Sequence, residues 1–238
     1  MEALSDKEAS ISIYGEITDS GYEWDETDVS ASTFKKDLDA LGPVDVINLH
    51  INSPGGSVFS GLAIGNMLKQ NKAAVNCIVD GLAASIASII AVSADKVSMP
   101  SNSMMMVHNA STIAVGNSDD LRKQADDLDH INASMKQTYL SKAGDKLDLE
   151  TISSLMDAET WLSADEAVSY GLADEVLEPN QAAACVSKKL FAKYKHVPAA
   201  LAGGGDPAHM SGPTLQTPKQ EAPKPSLLSQ KLKLLRGE

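Results

Sequence analysis

Ser85 stands where a serine hydroxyl could act as a nucleophile. It follows the small residues Gly81, Ala83 and Ala84 and precedes the apolar stretch 86–94. Small residues permit a tight turn from a strand into a helix, and the free amides of a helix N-terminus favour developing negative charge. The alternative is that Ser85 only caps the helix, and the local pattern taken alone favours that alternative.

His108 is the candidate general base. It directly follows the apolar run 104–107, so it lies at the tip of a predicted buried strand. Its ordinary pKa is near neutrality, which suits proton transfer, although a core histidine held by hydrogen bonds is the alternative. The remaining histidines lie inside a predicted strand, inside a predicted helix or in the tail: His50, His130, His196 and His209.

Gly55 and Gly56 form the end of a strong turn signal that begins at Asn52. Glycine lets a substrate or an oxyanion approach the main chain closely, so this turn could supply a backbone N–H. The alternative is a plain turn before the helix that starts near Ser57. No Gly-Lys-Ser/Thr follows, so a phosphate-binding loop is not indicated.

Two carboxylates, Asp157 and Glu159, come just before Trp161. Either could orient a histidine, as the third member of a catalytic triad does. The alternative is that both are solvated charges at the entry to a helix.

Strands and helices alternate along the sequence. Helical spacing predicts helices over 31–41, 57–70, 86–94 and 119–143, and a capping box at Ser163 starts another that ends at Gly171. Strand patterns cover 11–17, 46–51, 74–79, 96–99 and 104–107. This alternation predicts an α/β fold with a largely parallel sheet.

Charge and cysteine content exclude several functions. The net charge of −12 divides into −17 for residues 1–177 (11 Lys/Arg, 28 Asp/Glu) and +5 for residues 178–238 (9 and 4). An acidic body argues against nucleic acid as the main ligand. Two cysteines make neither a disulfide framework nor a metal site, and the longest apolar stretch, 86–92, is too short to span a bilayer. We expect a soluble, cytoplasmic protein.

Four sequence motifs resemble, in order and spacing, those of the Clp protease proteolytic subunit family. They are Asn52-Ser53-Pro54-Gly55-Gly56, Gly81-Leu82-Ala83-Ala84-Ser85, Met105-Met106-Val107-His108 and Trp161-Leu162-Ser163-Ala164. The resemblance spans about residues 11 to 177. It implies a ClpP/crotonase-type spiral of ββα units and a serine endopeptidase that needs no metal or organic cofactor.

The resemblance also implies a role for each motif residue. Ser85 matches the nucleophile and His108 the base, while the N–H groups of Gly56 and Ile86 match the oxyanion donors. The acid position falls on Glu159, where the family typically has Asp. Because Glu is one methylene longer, Asp157 is the alternative acid.

The domain organisation follows from the same comparison. We expect a frayed N-terminus over 1–10, a peptidase domain over 11–178 and a helical extension over 179–200. Residues 201–238 contain three consecutive glycines and five prolines, which predict a flexible linker, and they end in a short basic amphipathic tail.

The long helix 119–143 resembles the handle with which family members pack between stacked rings. Its apolar stripe, which includes Leu121, Leu128, Ile131 and Met135, predicts a ring-shaped homo-oligomer. The short N-terminus, the acidic segment around Trp24 and the long C-terminal part resemble phage-encoded head maturation proteases. These features predict capsid or scaffold proteins as substrates in a host cytoplasm.

Three alternatives stay open. A housekeeping Clp subunit fed by an AAA+ unfoldase would share every motif, but the short N-terminus counts against it. A non-catalytic scaffold or assembly protein would leave Ser85 unreactive. A crotonase-like acyl-CoA enzyme would share the fold, but it has no need for the pairing of Ser85 with His108.

Overall fold

Strands alternate with helices in the computed structural model, which describes residues 2–5, 7–179 and 194–198. These residues all belong to one unit, Met1–Ala208, and a second unit, His209–Glu238, lies outside the described residues. The strands are β1 Glu2–Ser5, β2 Glu8–Tyr14, β3 Ile17–Thr18, β4 Val29–Ser30, β5 Val46–Ser53, β6 Ala74–Ala84, β7 Lys96–Pro100, β8 Met104–Val107, β9 Thr160–Ser163 and β10 Glu175–Leu177. The α-helices are α1 Ala31–Ala40, α2 Val58–Gln70, α3 Ile86–Val92, α4 Ser118–Ala143, α5 Leu149–Asp157 and α6 Ala164–Ser169.

The main sheet has eight strands, with the order β1-β2-β5-β6-β7-β10 and with β8 and β9 attached beside β6. Strands β2, β5, β6, β7, β8 and β10 pair in parallel, whereas β1 and β9 are antiparallel to their neighbours. The predicted α/β fold with a largely parallel sheet is confirmed.

Strand β6 divides its pairing between two neighbours, and this division creates the site. Its first half pairs with β7, from Asn76 to Ile78, and its last three residues pair with β8. The sequence predicted a strand that stops at residue 79, but the strand continues to Ala84. Since β6 and β8 are parallel, the residues that follow both strands lie at the same edge of the sheet.

Helix α3 is buried over its whole length, as its uniformly apolar sequence predicts. Helix α2 packs closely against it because two α2 positions carry no side chain. A Cβ at Gly61 would lie 2.2 Å from Cγ1 of Ile86, and a Cβ at Gly65 would lie 2.8 Å from Oγ of Ser93. The close approach of the two helices therefore depends on glycine.

Helix α4 protrudes from the body at its N-terminal end, in agreement with the predicted handle. Met135 and Tyr139 are buried near its C-terminal end, and the Tyr139 hydroxyl hydrogen-bonds with Ser88 at 2.7 Å. Ile131 packs against the same core, whereas Leu121 is 45% exposed. The C-terminal part of the predicted apolar stripe is thus covered within the protomer, whereas Leu121 near its start faces outwards.

Part of the N-terminal segment that was predicted to fray is paired in the sheet. Residues 1–10 were expected to fray, yet β1 pairs antiparallel with β2, and β2 is itself held parallel to β5 from Glu8 onwards. Without β1, strand β2 would be the edge of the sheet. Strand β1 pairs with the N–H and C=O groups that β2 would otherwise leave unpaired.

The predicted C-terminal helical extension falls outside the described residues except at 179 and 194–198, and the predicted linker and basic tail fall wholly outside them. Within the part of the chain that the structure describes, no helix is long and apolar enough to cross a membrane.

Candidate active site

Ser85 occupies a strained turn between β6 and α3. Its backbone has φ 57° and ψ −127°, a region that costs energy for a residue with a side chain. Its N–H donates to the carbonyl of Met106 at 2.9 Å, which ties the turn to β8. The hydroxyl makes no capping bond to α3, so the alternative of a simple N-cap does not describe this serine.

His108 lies beside Ser85 because of the β6–β8 pairing. Ala84 is the register partner of Met106, so the next residues of the two strands project from the same sheet edge. Nε2 of His108 is 2.7 Å from Oγ of Ser85, and Ser85 is only 8% exposed. In the tautomer that carries its proton on Nδ1, the imidazole accepts the serine proton, which is the arrangement required to activate a hydroxyl.

Glu159 adjoins the end of the antiparallel ladder of β8 and β9, as His108 does. Val107 pairs with Thr160 at the end of the ladder, and the same register continued by one residue would set His108 opposite Glu159. Glu159 has φ 51°, which turns the chain from the end of α5 into β9. Its Oε1 accepts hydrogen bonds from the backbone N–H groups of Lys195 and His196, both at 2.7 Å.

Asp157, the alternative acid, faces a different partner. Its Oδ1 accepts from the side-chain amide of Asn109 at 2.7 Å. Register therefore favours Glu159, and the identity of the acid stays a prediction.

The glycine turn, residues 54–56, lies against the turn that carries Ser85. A Cβ at Gly55 would come within 2.8 Å of Cβ of Ser85 and 3.2 Å of the Ile86 nitrogen. Gly56 has φ 147° and forms a bridge with Ile17, whose carbonyl would lie 2.0 Å from a Cβ at this position. Only glycine fits at either position, and the turn brings main chain next to Ser85.

Ile86 is the first residue of α3, so its N–H has no carbonyl partner within the helix. A cleft lies beside Ser85, and Gly56 is part of its lining. The residues that line this cleft are Gly56, Val58, Ser85, His108, Ala110, Ser111, Met135 and Tyr194.

Tyr194 was not predicted to be part of the site. Its phenol donates to the carbonyl of Pro54, and its ring meets the His108 ring edge-on at a centroid distance of 5.5 Å. Burial raises the pKa of the phenol, and a hydrogen bond with the Ser85 hydroxyl acts in the opposite direction. Nothing in the local sequence near Tyr194 indicates this long-range contact.

A second polar cluster joins three neighbouring strands away from the serine. Nδ1 of His50 is 2.8 Å from Oδ2 of Asp80, and the same oxygen accepts from the Tyr14 hydroxyl at 2.6 Å. The hydrogen bond with Asp80 raises the pKa of His50. Among the described residues, no group of His, Cys, Asp and Glu side chains is arranged to hold a metal ion.

Comparison with known proteins gives two results. Residues 6–180 match the family model described as Clp protease. An ATP-dependent Clp protease proteolytic subunit from Deinococcus radiodurans is 35% identical over 144 residues, which cover 59% of this chain and 69% of that protein.

Proposed function

The chain belongs to the Clp protease family, and on that premise we propose that it is a serine endopeptidase with Ser85 as nucleophile and His108 as general base. The observation that carries the proposal is the 2.7 Å distance between Oγ of Ser85 and Nε2 of His108. A serine hydroxyl is a weak nucleophile unless such a base removes its proton.

The reaction follows from the placement of the groups. Oγ of Ser85 attacks the peptide carbonyl carbon while Nε2 of His108 takes the hydroxyl proton. The oxygen of the tetrahedral intermediate accepts hydrogen bonds from the N–H groups of Gly56 and Ile86. His108 then returns its proton to the leaving amine, and an acyl ester on Ser85 remains until water, activated by the same imidazole, hydrolyses it.

Glu159 is proposed as the acid that holds the imidazolium. The support for this role is the β8–β9 register, which would set Glu159 opposite His108 if it continued by one residue. Asp157 is two residues away and is engaged by Asn109, so it is the weaker candidate. An acid in this position fixes the histidine tautomer and stabilises the charged ring.

The test of the proposed function is peptide hydrolysis by purified protein. We expect cleavage of an internally quenched peptide, and Ser85→Ala should lower kcat by a factor on the order of 10⁶. Ser101→Ala is the matched control, since Ser101 is exposed in the turn after β7. Substantial activity in Ser85→Ala, or none in the parent chain, would refute the assignment.

We extend the proposal to assembly as a ring-shaped homo-oligomer. The support is the outward-facing apolar surface at and before the start of α4, where Ile113 and Val115 are almost fully exposed and Leu121 is 45% exposed. Exposed apolar surface of this kind often marks an interface. Leu121→Asp should break the oligomer without unfolding the protomer, as measured by light scattering. A monomeric parent chain would contradict the proposal.

The substrate class is proposed from resemblance. The acidic segment around Trp24, a residue that is 87% exposed, and the stretch Glu159-Thr160-Trp161 resemble phage-encoded proteases of head maturation. Capsid or scaffold proteins are therefore the proposed substrates. Selective cleavage of such a protein, with a folded unrelated protein left intact, would support this class.

A second candidate is a peptidase fed by an ATPase. The relative from Deinococcus radiodurans is named an ATP-dependent Clp protease proteolytic subunit, and this name favours the candidate. Degradation of a folded substrate that requires both ATP and an added AAA+ unfoldase would distinguish it from independent processing.

A further inference from the structure

Residues 194–198 lie across one side of the candidate active site. The Tyr194 side chain is enclosed there, with only 8% of the residue exposed. Its ring contacts the His108 ring and, at a centroid distance of 5.8 Å, the Trp161 ring. Its hydroxyl bonds the carbonyl of Pro54 in the glycine turn. A residue far along the chain therefore contacts both the base and the turn that carries an oxyanion donor.

An apolar surface beside the nucleophile receives this segment. Leu82, Ala84 and Met106 form it with Tyr194, and all are buried in the structure. Met104, Trp161 and Val197 pack at its margin. These side chains come from the last residues of β6, from β8 and from β9, so the surface is a fixed part of the sheet edge that also positions Ser85.

Glu159 binds the main chain of the same segment. Its Oε1 accepts from two consecutive N–H groups, those of Lys195 and His196, at 2.7 Å each. Charge-assisted hydrogen bonds of this kind are the stronger ones in proteins. Because they involve backbone N–H groups, they would form with a peptide of any sequence, whereas the apolar surface selects the side chain that precedes them.

We propose that this surface, made of Leu82, Ala84, Met106, Trp161 and Glu159, is a binding site for a peptide with an aromatic side chain, and that residues 194–198 occupy it in cis and hold the enzyme latent. The latency rests on the proposed peptidase function, but the peptide site does not. Two consequences follow: substrates with an aromatic residue near the cleavage point compete for this surface, and displacement of Tyr194 frees both the cleft and Glu159.

The concentration of a tethered ligand explains why latency would persist. A ligand that belongs to the same chain as its site acts at an effective concentration on the order of millimolar. A free peptide at micromolar concentration therefore competes poorly. Removal of the tyrosine ring should weaken the cis contact enough that a peptide added in trans gains access.

The binding experiment uses the full-length chain with Ser85→Ala, so no hydrolysis is needed. A fluorescent peptide with the sequence of residues 191–200 is titrated, and its anisotropy is recorded. We expect at least roughly tenfold tighter binding to Tyr194→Ala than to the chain that keeps Tyr194, since the tethered competitor is weakened. The same peptide with alanine in place of its tyrosine should not bind. Tyr22→Ala, at a tyrosine exposed away from the cleft, is the matched control.

The activity experiment uses the chain with Ser85 intact. Tyr194→Ala should hydrolyse an aromatic peptide several-fold faster at low substrate concentration, and His196→Pro, which removes one N–H donor to Glu159, should do the same. Thermal unfolding of each variant shows whether it is folded.

Equal binding to both chains, or equal binding of the alanine peptide, overturns the peptide site. Tighter binding to Tyr194→Ala combined with unchanged hydrolysis overturns latency alone. If no chain hydrolyses any peptide while the binding difference holds, the proposed function fails and the peptide site stands.

Discussion

The substitution Gly61→Ala tests whether the contact between α2 and α3 positions the oxyanion donor. The added Cβ would lie 2.2 Å from Cγ1 of Ile86, whereas carbon atoms in contact are normally about 3.5–4.0 Å apart. Ile86 is fully buried, and its β-branched side chain has one strongly preferred rotamer in a helix. The clash must therefore be relieved by moving the start of α3, which carries the Ile86 N–H.

Two opposing effects set the change in stability. Alanine in place of glycine in a helix interior stabilises by about 1 kcal/mol. Overpacking of a filled core costs about 1–3 kcal/mol. The expected net loss in the free energy of unfolding is therefore between zero and about 2 kcal/mol. The effect on catalysis is larger, because the loss of one oxyanion donor costs a factor of about 10²–10³ in kcat.

Gly65→Ala is the matched control, one turn further along α2. Its Cβ would meet only the Ser93 hydroxyl closely, at 2.8 Å, and it lies against the other end of α3. The assay is kcat and KM on a fluorogenic peptide, together with the urea midpoint of each variant. We expect a fall in kcat for Gly61→Ala alone. Wild-type kcat in a folded Gly61→Ala protein would refute the link between this helix contact and the oxyanion donor.

Two further predictions concern the remaining ionisable groups. Glu159→Gln should lower kcat by up to about 10⁴-fold while Asp157→Asn stays near wild type; the reverse pattern, measured at saturating substrate, would move the role to Asp157. The hydrogen bond with Asp80 raises the pKa of His50 in the folded state. The contribution of this bond to the free energy of unfolding is therefore full below the unfolded-state pKa of about 6.5, and it is lost as pH rises through the folded-state pKa. The urea midpoint should therefore fall over that pH range more in the parent chain than in His50→Gln, and an NMR titration of His50 should show a lower pKa in Asp80→Asn. Identical pH dependence of the urea midpoint in the parent chain and in His50→Gln would contradict this prediction.

The sequence was sufficient to predict the elements whose patterns are local. The buried α3, the capping box at Ser163 and the long α4 each have a clear apolar period or cap, and the structure has them. No helix was predicted from the sequence at α5, although this segment carries similar signals. Asp148 caps it, and its buried residues Ile152 and Met156 are four apart, but a helix of nine residues has too few apolar positions to show a clear period.

The parts of the site that depend on pairing between distant strands could not be predicted from local patterns. The β6–β8 register brings His108 to Ser85, and the β8–β9 ladder ends at Val107 and Thr160, which adjoin His108 and Glu159. Only the resemblance to the Clp protease family suggested these pairings in advance. The contact of Tyr194 with His108 joins residues far apart in the chain and lies beyond the family match, which ends at residue 180.

The most direct test of the central claim is covalent labelling by a fluorophosphonate probe, followed by mass spectrometry of the labelled peptide. The probe reacts with a serine only where a base activates its hydroxyl. We expect a single labelled site at Ser85 and strongly reduced labelling in His108→Ala, with Tyr194→Ala labelled faster than the parent chain. No label on Ser85 in any of these folded chains, as expected for a non-catalytic scaffold, would contradict the account.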